Sequence, residues 1–222
     1  MALSTTLIWW SWLLIGLSPG VPRLPRRALG GLSVYDQWRN YAIANVCSIP
    51  SPILADYNAP VLRLLTLPNL LLTWLTLTTP TLLPRNQTHL DLPPSLIQTF
   101  KAALHTHHIT LRFLAGPWCP ALAARIPPSA PDMGTVILAA ETIYSPESTE
   151  AFVALVCRLL RRGQMSKAMV AAKRVYFGVG GSVDGLKAAC REHGAVASEI
   201  ENHGVPGLEG GVGRALIEVQ MY

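Results

Sequence analysis

The alternation of apolar and polar positions divides the chain into short elements. Ile53-Leu54-Ala55 is an apolar run ending in Asp56-Tyr57-Asn58, the mark of a buried strand that leads into a polar turn. Residues 60–77 are Leu-rich and helical in pattern, and Pro68 is expected to divide them, leaving Asn69–Leu77 as a second helix. Residues 78–94 read as a polar, Pro-bearing loop. From 94 to 105, Leu96, Ile97, Phe100 and Leu104 recur on one helical face. Ile109–Leu114 reads as a strand stopped by Gly116-Pro117-Trp118, and residues 125–131 as a Pro-rich connection. Thr135–Ala140 is a continuous apolar run, which predicts a strand covered on both faces. Pro146 opens a helix at its first turn, and the pattern runs to Arg162 before Gly163 stops it. Ala168–Tyr176 predicts another buried strand. Gly178-Val179-Gly180-Gly181 then turns the chain into a helix from Val183 to His193. Residues 196–202 and 214–221 read as a closing strand pair. Strand and helix alternate, so the expected class is α/β on a mainly parallel sheet.

The first fifty residues follow a different pattern. Residues 34–46 could form a short helix, closed by Pro50 and Pro52. Before them, Pro19–Pro25 and Gly30-Gly31 break regular structure. Residues 1–32 therefore read as an apolar leader or linker ahead of a domain covering 33–222. Ala2–Val21 carries no charge, contains Leu7-Ile8-Trp9-Trp10 and Trp12-Leu13-Leu14-Ile15, and is followed by the basic cluster Arg23–Arg27. A signal peptide or a short membrane anchor has this outline. Two features count against it. No Lys or Arg precedes the run, and Ser4, Thr5, Thr6, Ser11 and Gly16 dilute it below the roughly 20 strongly apolar residues a span needs. The expected location is the cytoplasm, the nucleus or both, with no membrane partner. Anchoring by residues 2–21 is the alternative.

Composition narrows the classes. The 222-residue chain is 50% hydrophobic and 14% charged, which excludes general disorder. Cys47, Cys119, Cys157 and Cys190 lie far apart with no CxxC pair, so neither a disulfide scaffold nor a structural zinc site is spelled out. The net charge of +5 is mild and its basic residues are mostly dispersed, so no direct nucleic-acid partner is expected. His105, His107 and His108 crowd one helix end without a carboxylate or cysteine beside them, so no metal site is expected there.

In open α/β sheets ligands bind beyond the carboxyl ends of the strands, so the residues that follow each strand carry the candidate chemistry. Asp56-Tyr57-Asn58 places an acidic acceptor where the two hydroxyls of a ribose could meet it. Gly116-Pro117-Trp118 offers an aromatic face for a purine. Glu141-Thr142-Ile143-Tyr144-Ser145-Pro146 puts a carboxylate and a phenol on the rim, and Tyr176-Phe177-Gly178-Val179-Gly180-Gly181 follows the next strand. Together these suggest a nucleoside-type ligand. Each has a plainer reading too: a turn-forming Asp, a packed Trp118, a strand-to-helix turn fixed by Glu141 and Tyr144. The glycine tract is no phosphate loop, because no Gly-Lys-Ser/Thr follows.

In this order, with Thr66-Leu67-Pro68-Asn69 and Ala171-Ala172-Lys173, these segments resemble the protein-histidine N-methyltransferases over about residues 53–222. The resemblance implies a Rossmann-like seven-strand class I methyltransferase sheet and S-adenosyl-L-methionine as cofactor. It implies methylation of a histidine ring nitrogen in a protein, a ribosomal protein being the family's kind of target. Asp56, Tyr57 and Asn58 match the ribose turn, Gly116, Pro117 and Trp118 the segment beside adenine, and Ala140 a cofactor-facing position. Glu141 and Tyr144, as catalytic candidates, match the rim where the histidine enters. Tyr176, Phe177, Gly178, Gly180 and Gly181 match the target-binding loop. The family's Gly-x-Gly-x-Gly turn, due roughly 20 residues before Asp56, is absent from residues 20–50. The first strand is therefore expected to be lacking or degraded. A non-catalytic, protein-binding relative or a truncated gene product stays open beside the enzyme.

Overall fold

The computed structural model describes residues 12–18, 52–78, 92–129, 134–200 and 213–222. The apolar runs become strands: β1 (Trp12–Ser18), β2 (Ile53–Asp56), β3 (Arg112–Ala115), β4 (Gly134–Ala140), β5 (Lys167–Lys173), β6 (Ala195–Glu199) and β7 (Arg214–Met221). They hydrogen-bond in the order β3-β2-β1-β4-β5-β7-β6. The pairs β2–β3 and β4–β5 are parallel. β1 runs antiparallel to β2 and β4, and β7 antiparallel to β5 and β6. The sheet is therefore mixed rather than mainly parallel. β2 through β6 still share one direction, and only β1 and β7 oppose it, so the carboxyl ends of β2, β3, β4 and β5 lie along one edge.

β1 corrects the reading of the amino terminus. Trp12–Ser18 lies within the stretch read as leader, yet it forms a strand between β2 and β4. Leu13 sits opposite Ala55 on one side and Ala139 on the other, and Ser18 sits opposite Gly134. An uncharged apolar run can pair through its backbone with two open strand edges, and this one closes the gap between β2 and β4. Its direction has a consequence for the site. The carboxyl end of β1 lies beside Gly134, at the edge opposite to the one where β2 and β4 end.

Side chains alternate across the sheet, as the pleat requires. Ile53 and Ala55 of β2, Ile137 and Ala139 of β4, and Ala168, Val170 and Ala172 of β5 face one core. The helices α5 (Pro146–Leu160) and α6 (Val183–Glu192) cover it with Phe152, Val156, Leu159 and Leu186. Leu54, Leu138 and Met169 face the other side and meet Leu62 and Leu70. This two-sided burial explains the near-continuous apolar runs.

The Leu-rich segment is one helical run rather than two helices split at Pro68. α1 (Ala59–Val61) passes through a π-helical turn (Leu62–Thr66) into α2 (Leu67–Thr78). The Leu67 amide reaches back to the Leu62 carbonyl, and this widened turn lies immediately before Pro68, whose nitrogen has no hydrogen to give. α3 (Pro94–Thr106) presents Phe100 to Leu71, Leu75 and Trp74. α4 (Pro120–Ala124) is a short turn beneath the sheet edge. Elsewhere the boundaries move by a few residues. β3 begins at Arg112, β5 stops at Lys173, and Val175 forms only an isolated bridge to Ser182. The helix expected over 34–46 lies outside the described residues.

Candidate functional site at the strand ends

The sheet brings the four predicted clusters to one edge in spatial order. Gly116 follows β3, Asp56 ends β2, and Glu141 follows β4, with Tyr176 beyond β5. Backbone bonds tie neighbours together. The Gly116 amide donates to the Asp56 carbonyl at 3.1 Å, and the Glu141 amide to the Ala171 carbonyl at 2.9 Å.

Asp56 is 1% exposed. Its Oδ1 accepts the Asn58 amide at 2.8 Å, but Oδ2 is buried with no hydrogen-bond partner among the described residues. Burial pushes this carboxyl up to about 6, against the opposing pull of the Asn58 amide. A buried acceptor without a donor is costly and calls for one. Tyr57 and Asn58, by contrast, face solvent.

Glu141 is 7% exposed and has φ +55, a left-handed conformation that costs a side-chain-bearing residue about 1–2 kcal/mol. Its Oε2 accepts a hydrogen bond from the Tyr176 hydroxyl at 2.9 Å. That hydroxyl in turn accepts the Lys173 amide at 3.2 Å. The Lys173 ammonium lies 5.7 Å from the centre of the Tyr176 ring. Burial raises the Glu141 carboxyl, while the Tyr176 hydrogen bond and then the charges of Lys173 and Arg214 pull it down. Burial, with the Glu141 charge next, also keeps the Tyr176 hydroxyl protonated. Lys173 and Arg214 face each other across the β5–β7 register.

The two loops beyond β4 and β5 are stitched together. The Gly181 amide donates to the Tyr144 carbonyl at 3.1 Å, and the Tyr176 amide to the Gly181 carbonyl at 2.8 Å. A Cβ on Gly181 would overlap the Ile143 carbonyl, so only glycine fits there. Gly178 and Gly180 take φ +81 and +83 within the same turn. Below it, Ser145 and Ser148 form a reciprocal cap with Pro146 in the first turn of α5. The turn raises Phe177 to 79% exposure, beside exposed Val175, Val179 and Tyr144.

Some expected roles change. Trp118 is 7% exposed within the main core, packed with Leu122, Ala123 and Ile126, and presents no open face for stacking. Tyr176, expected at the target surface, is 8% exposed and spends its hydroxyl on Glu141. Ala140 is buried at the end of β4. The sequence reading assigned no role to Lys173 and Arg214, whose charges act on Glu141, nor to Thr142, fully buried with its hydroxyl unpartnered. Lys173 closes an apolar strand, the one local signal. Arg214 is brought to the site by strand pairing, which no local sequence pattern announces. Among the described residues no group of three or more His, Cys, Asp or Glu is placed to hold a metal ion, and no helix is long and apolar enough to cross a membrane.

The fold and this edge define an α/β protein on a mixed sheet, with a candidate ligand site at its strand ends. Sequence comparison makes the class narrower. The chain is 38% identical over 132 residues to Histidine protein methyltransferase 1 of Schizosaccharomyces pombe, covering 59% of this chain and 38% of that relative. It is 32% identical over 150 residues to Histidine protein methyltransferase 1 of Saccharomyces cerevisiae, covering 61% and 40%. These relatives support the resemblance to the protein-histidine methyltransferase family. The chain spans about two fifths of the length of the two relatives. No protein-family model matches it.

Proposed function

We propose that the chain is a methyltransferase of the protein-histidine type, using S-adenosyl-L-methionine to methylate a ring nitrogen of a histidine in a protein. A ribosomal protein is the target class, and the cytoplasm or nucleus the place. The observation that carries this reading is Asp56. Its buried, unpartnered Oδ2 at the carboxyl end of β2 fits a ribose hydroxyl as donor. Tyr57, Asn58, Gly116, Pro117 and Ala140 border the same edge and would enclose the nucleoside, with Trp118 packed beneath.

The fit covers the nucleoside half of the cofactor. The family's Gly-rich turn for the amino-acid half would follow the first strand, but β1 runs away from this edge. When bound, the cofactor would supply an already activated methyl group. The protein's task is then alignment and a dry, suitably charged pocket. Glu141, at the rim, accepts a hydrogen bond from one ring nitrogen of the target imidazole and leaves the other as nucleophile. Tyr144, Phe177 and the turn through Gly178, Gly180 and Gly181 receive the residues around that histidine. The sheet is in this reading a class I methyltransferase sheet whose first strand is reversed.

The reversed β1 favours a second reading, a non-catalytic relative that keeps the protein-binding rim. Calorimetric titration of the full chain with S-adenosylhomocysteine separates the two. A Kd in the micromolar range, about −8 kcal/mol, supports the enzyme. No heat from a folded sample overturns it in favour of the binding relative.

A further inference from the structure

We infer that Tyr176 is a positioning residue whose hydroxyl holds the Glu141 carboxylate in place for the target imidazole and links it to the turn that carries Phe177 and Val179. The inference rests on the proposed role of Glu141 and deepens it. Three contacts carry it. The Tyr176 hydroxyl donates to Glu141 Oε2 at 2.9 Å while accepting the Lys173 amide at 3.2 Å, so its position is fixed from both sides. The Tyr176 amide and carbonyl close the turn through Gly181 and Gly180. Gly181 is locked to the Tyr144 carbonyl, with no space for a Cβ. Tyr176 thus closes the target-facing turn through its backbone and grips the buried carboxylate through its hydroxyl.

Glu141 does not hold itself in place. Its backbone is left-handed, and its carboxylate is nearly buried. A long, flexible side chain becomes an aligned acceptor only when neighbours restrict it. The charged groups facing it are Lys173 on β5 and Arg214 on β7, and the Tyr176 hydroxyl donates directly to Oε2. Burial and the hydrogen bond act on Glu141 in opposite directions, burial favouring the neutral form and Tyr176 the charged one. Without the hydroxyl, the carboxylate takes up a proton at higher pH and loses its hold on an imidazole N–H.

The test uses the full chain, with N-acetylhistidine amide as probe and no cofactor, so that its readout is independent of methyl transfer. Binding is followed by NMR at pH 6 and pH 8 for wild type, Tyr176→Phe and Glu141→Gln. The phenylalanine keeps the ring and removes one oxygen. We expect Tyr176→Phe to weaken binding about tenfold at pH 6 and less at pH 8, the scale of one hydrogen bond to a charged group. The Glu141 carboxyl carbon should titrate at higher pH in that variant. Equal binding and an unmoved Glu141 midpoint in Tyr176→Phe, with binding lost in Glu141→Gln, would overturn the inference and leave the proposed role of Glu141 standing. Undiminished binding in Glu141→Gln, or none in wild type, would remove that role and the inference with it. A check within the wild type covers a variant that does not fold. The Tyr176 ring carbon bearing the hydroxyl should titrate with the same midpoint as Glu141, and independent midpoints count against the link.

Discussion

Two buried carboxylates stand at one edge of the sheet, and their surroundings could hardly differ more. Asp56 ends β2 with its carboxylate bonded, among the described residues, to the Asn58 amide alone and its second oxygen unpartnered. Glu141 follows β4 in left-handed backbone, gripped by Tyr176 and facing the charges of Lys173 and Arg214. The first is an acceptor waiting for a donor. The second is already organised by the protein. Under the proposed function, one residue class supplies two roles through environment alone. The acceptor suits the hydroxyls of a nucleoside, and the aligned carboxylate suits a target ring.

The largest expected effect comes from separating the loops that organise Glu141. Gly181→Ala forces a Cβ into the Ile143 carbonyl and should cost about 3 kcal/mol, the upper range for overpacking, read as a fall in the urea midpoint. Gly134→Ala, which meets the Met165 carbonyl at the far edge, should cost a comparable amount. Only the first should alter the Glu141 titration. If both alter it, the loop stitching is not what organises the carboxylate.

Asp56 gives the next effect, through pH. Its folded value of about 6 lies above the unfolded carboxylate range, so the native state binds more protons between pH 4 and 6. Stability should therefore fall as pH rises across that window, by about 2 kcal/mol after allowance for screening. Asp56→Asn should flatten the dependence there, as measured by urea unfolding at pH 4, 5, 6 and 7. A wild-type stability that rises through the same window would contradict the unpartnered Asp56.

Tyr176→Phe should cost about 1–2 kcal/mol, because Glu141 loses its donor while the ring still packs. Thermal unfolding at neutral pH measures it, and no change would mean that the bond contributes nothing to holding the loops. The smallest effect is expected at Phe177. With its side chain in solvent, Phe177→Ser should shift stability by less than about 0.5 kcal/mol. It should nevertheless weaken binding of a histidine-bearing protein target, and undiminished target capture would remove this turn from the recognition surface.

How much of this could be read from residues alone depends on range. The apolar run 53–55 announced a buried strand and 135–140 a two-faced one, and Pro146 and Gly163 bracketed α5, because those signals are local. The positions of Asp56 and Glu141 at strand ends followed from the same runs. β1 was hidden because its direction and place come from pairing with β2 and β4, and a charge-free run before basic residues equally describes a leader. Pro68 misled because a π-helical turn absorbs what the ring would otherwise break. Tyr176 and Glu141 are 35 residues apart, and only the parallel β4–β5 pairing brings them together. Trp118 and Tyr176 share one lesson. An aromatic after a strand can equally belong to the core, and burial decides which.

In the proposed function, Asp56 receives the nucleoside and Glu141 the target ring. The most direct measurement is calorimetric titration of S-adenosylhomocysteine and, separately, of N-acetylhistidine amide into wild type, Asp56→Ala and Glu141→Gln. The account predicts a double separation. Asp56→Ala should lose nucleoside affinity by at least about tenfold, the scale of a hydrogen bond to a charged group, and keep the imidazole probe. Glu141→Gln should do the reverse. Equal loss of both ligands in either folded variant, or full nucleoside affinity in Asp56→Ala, would contradict it.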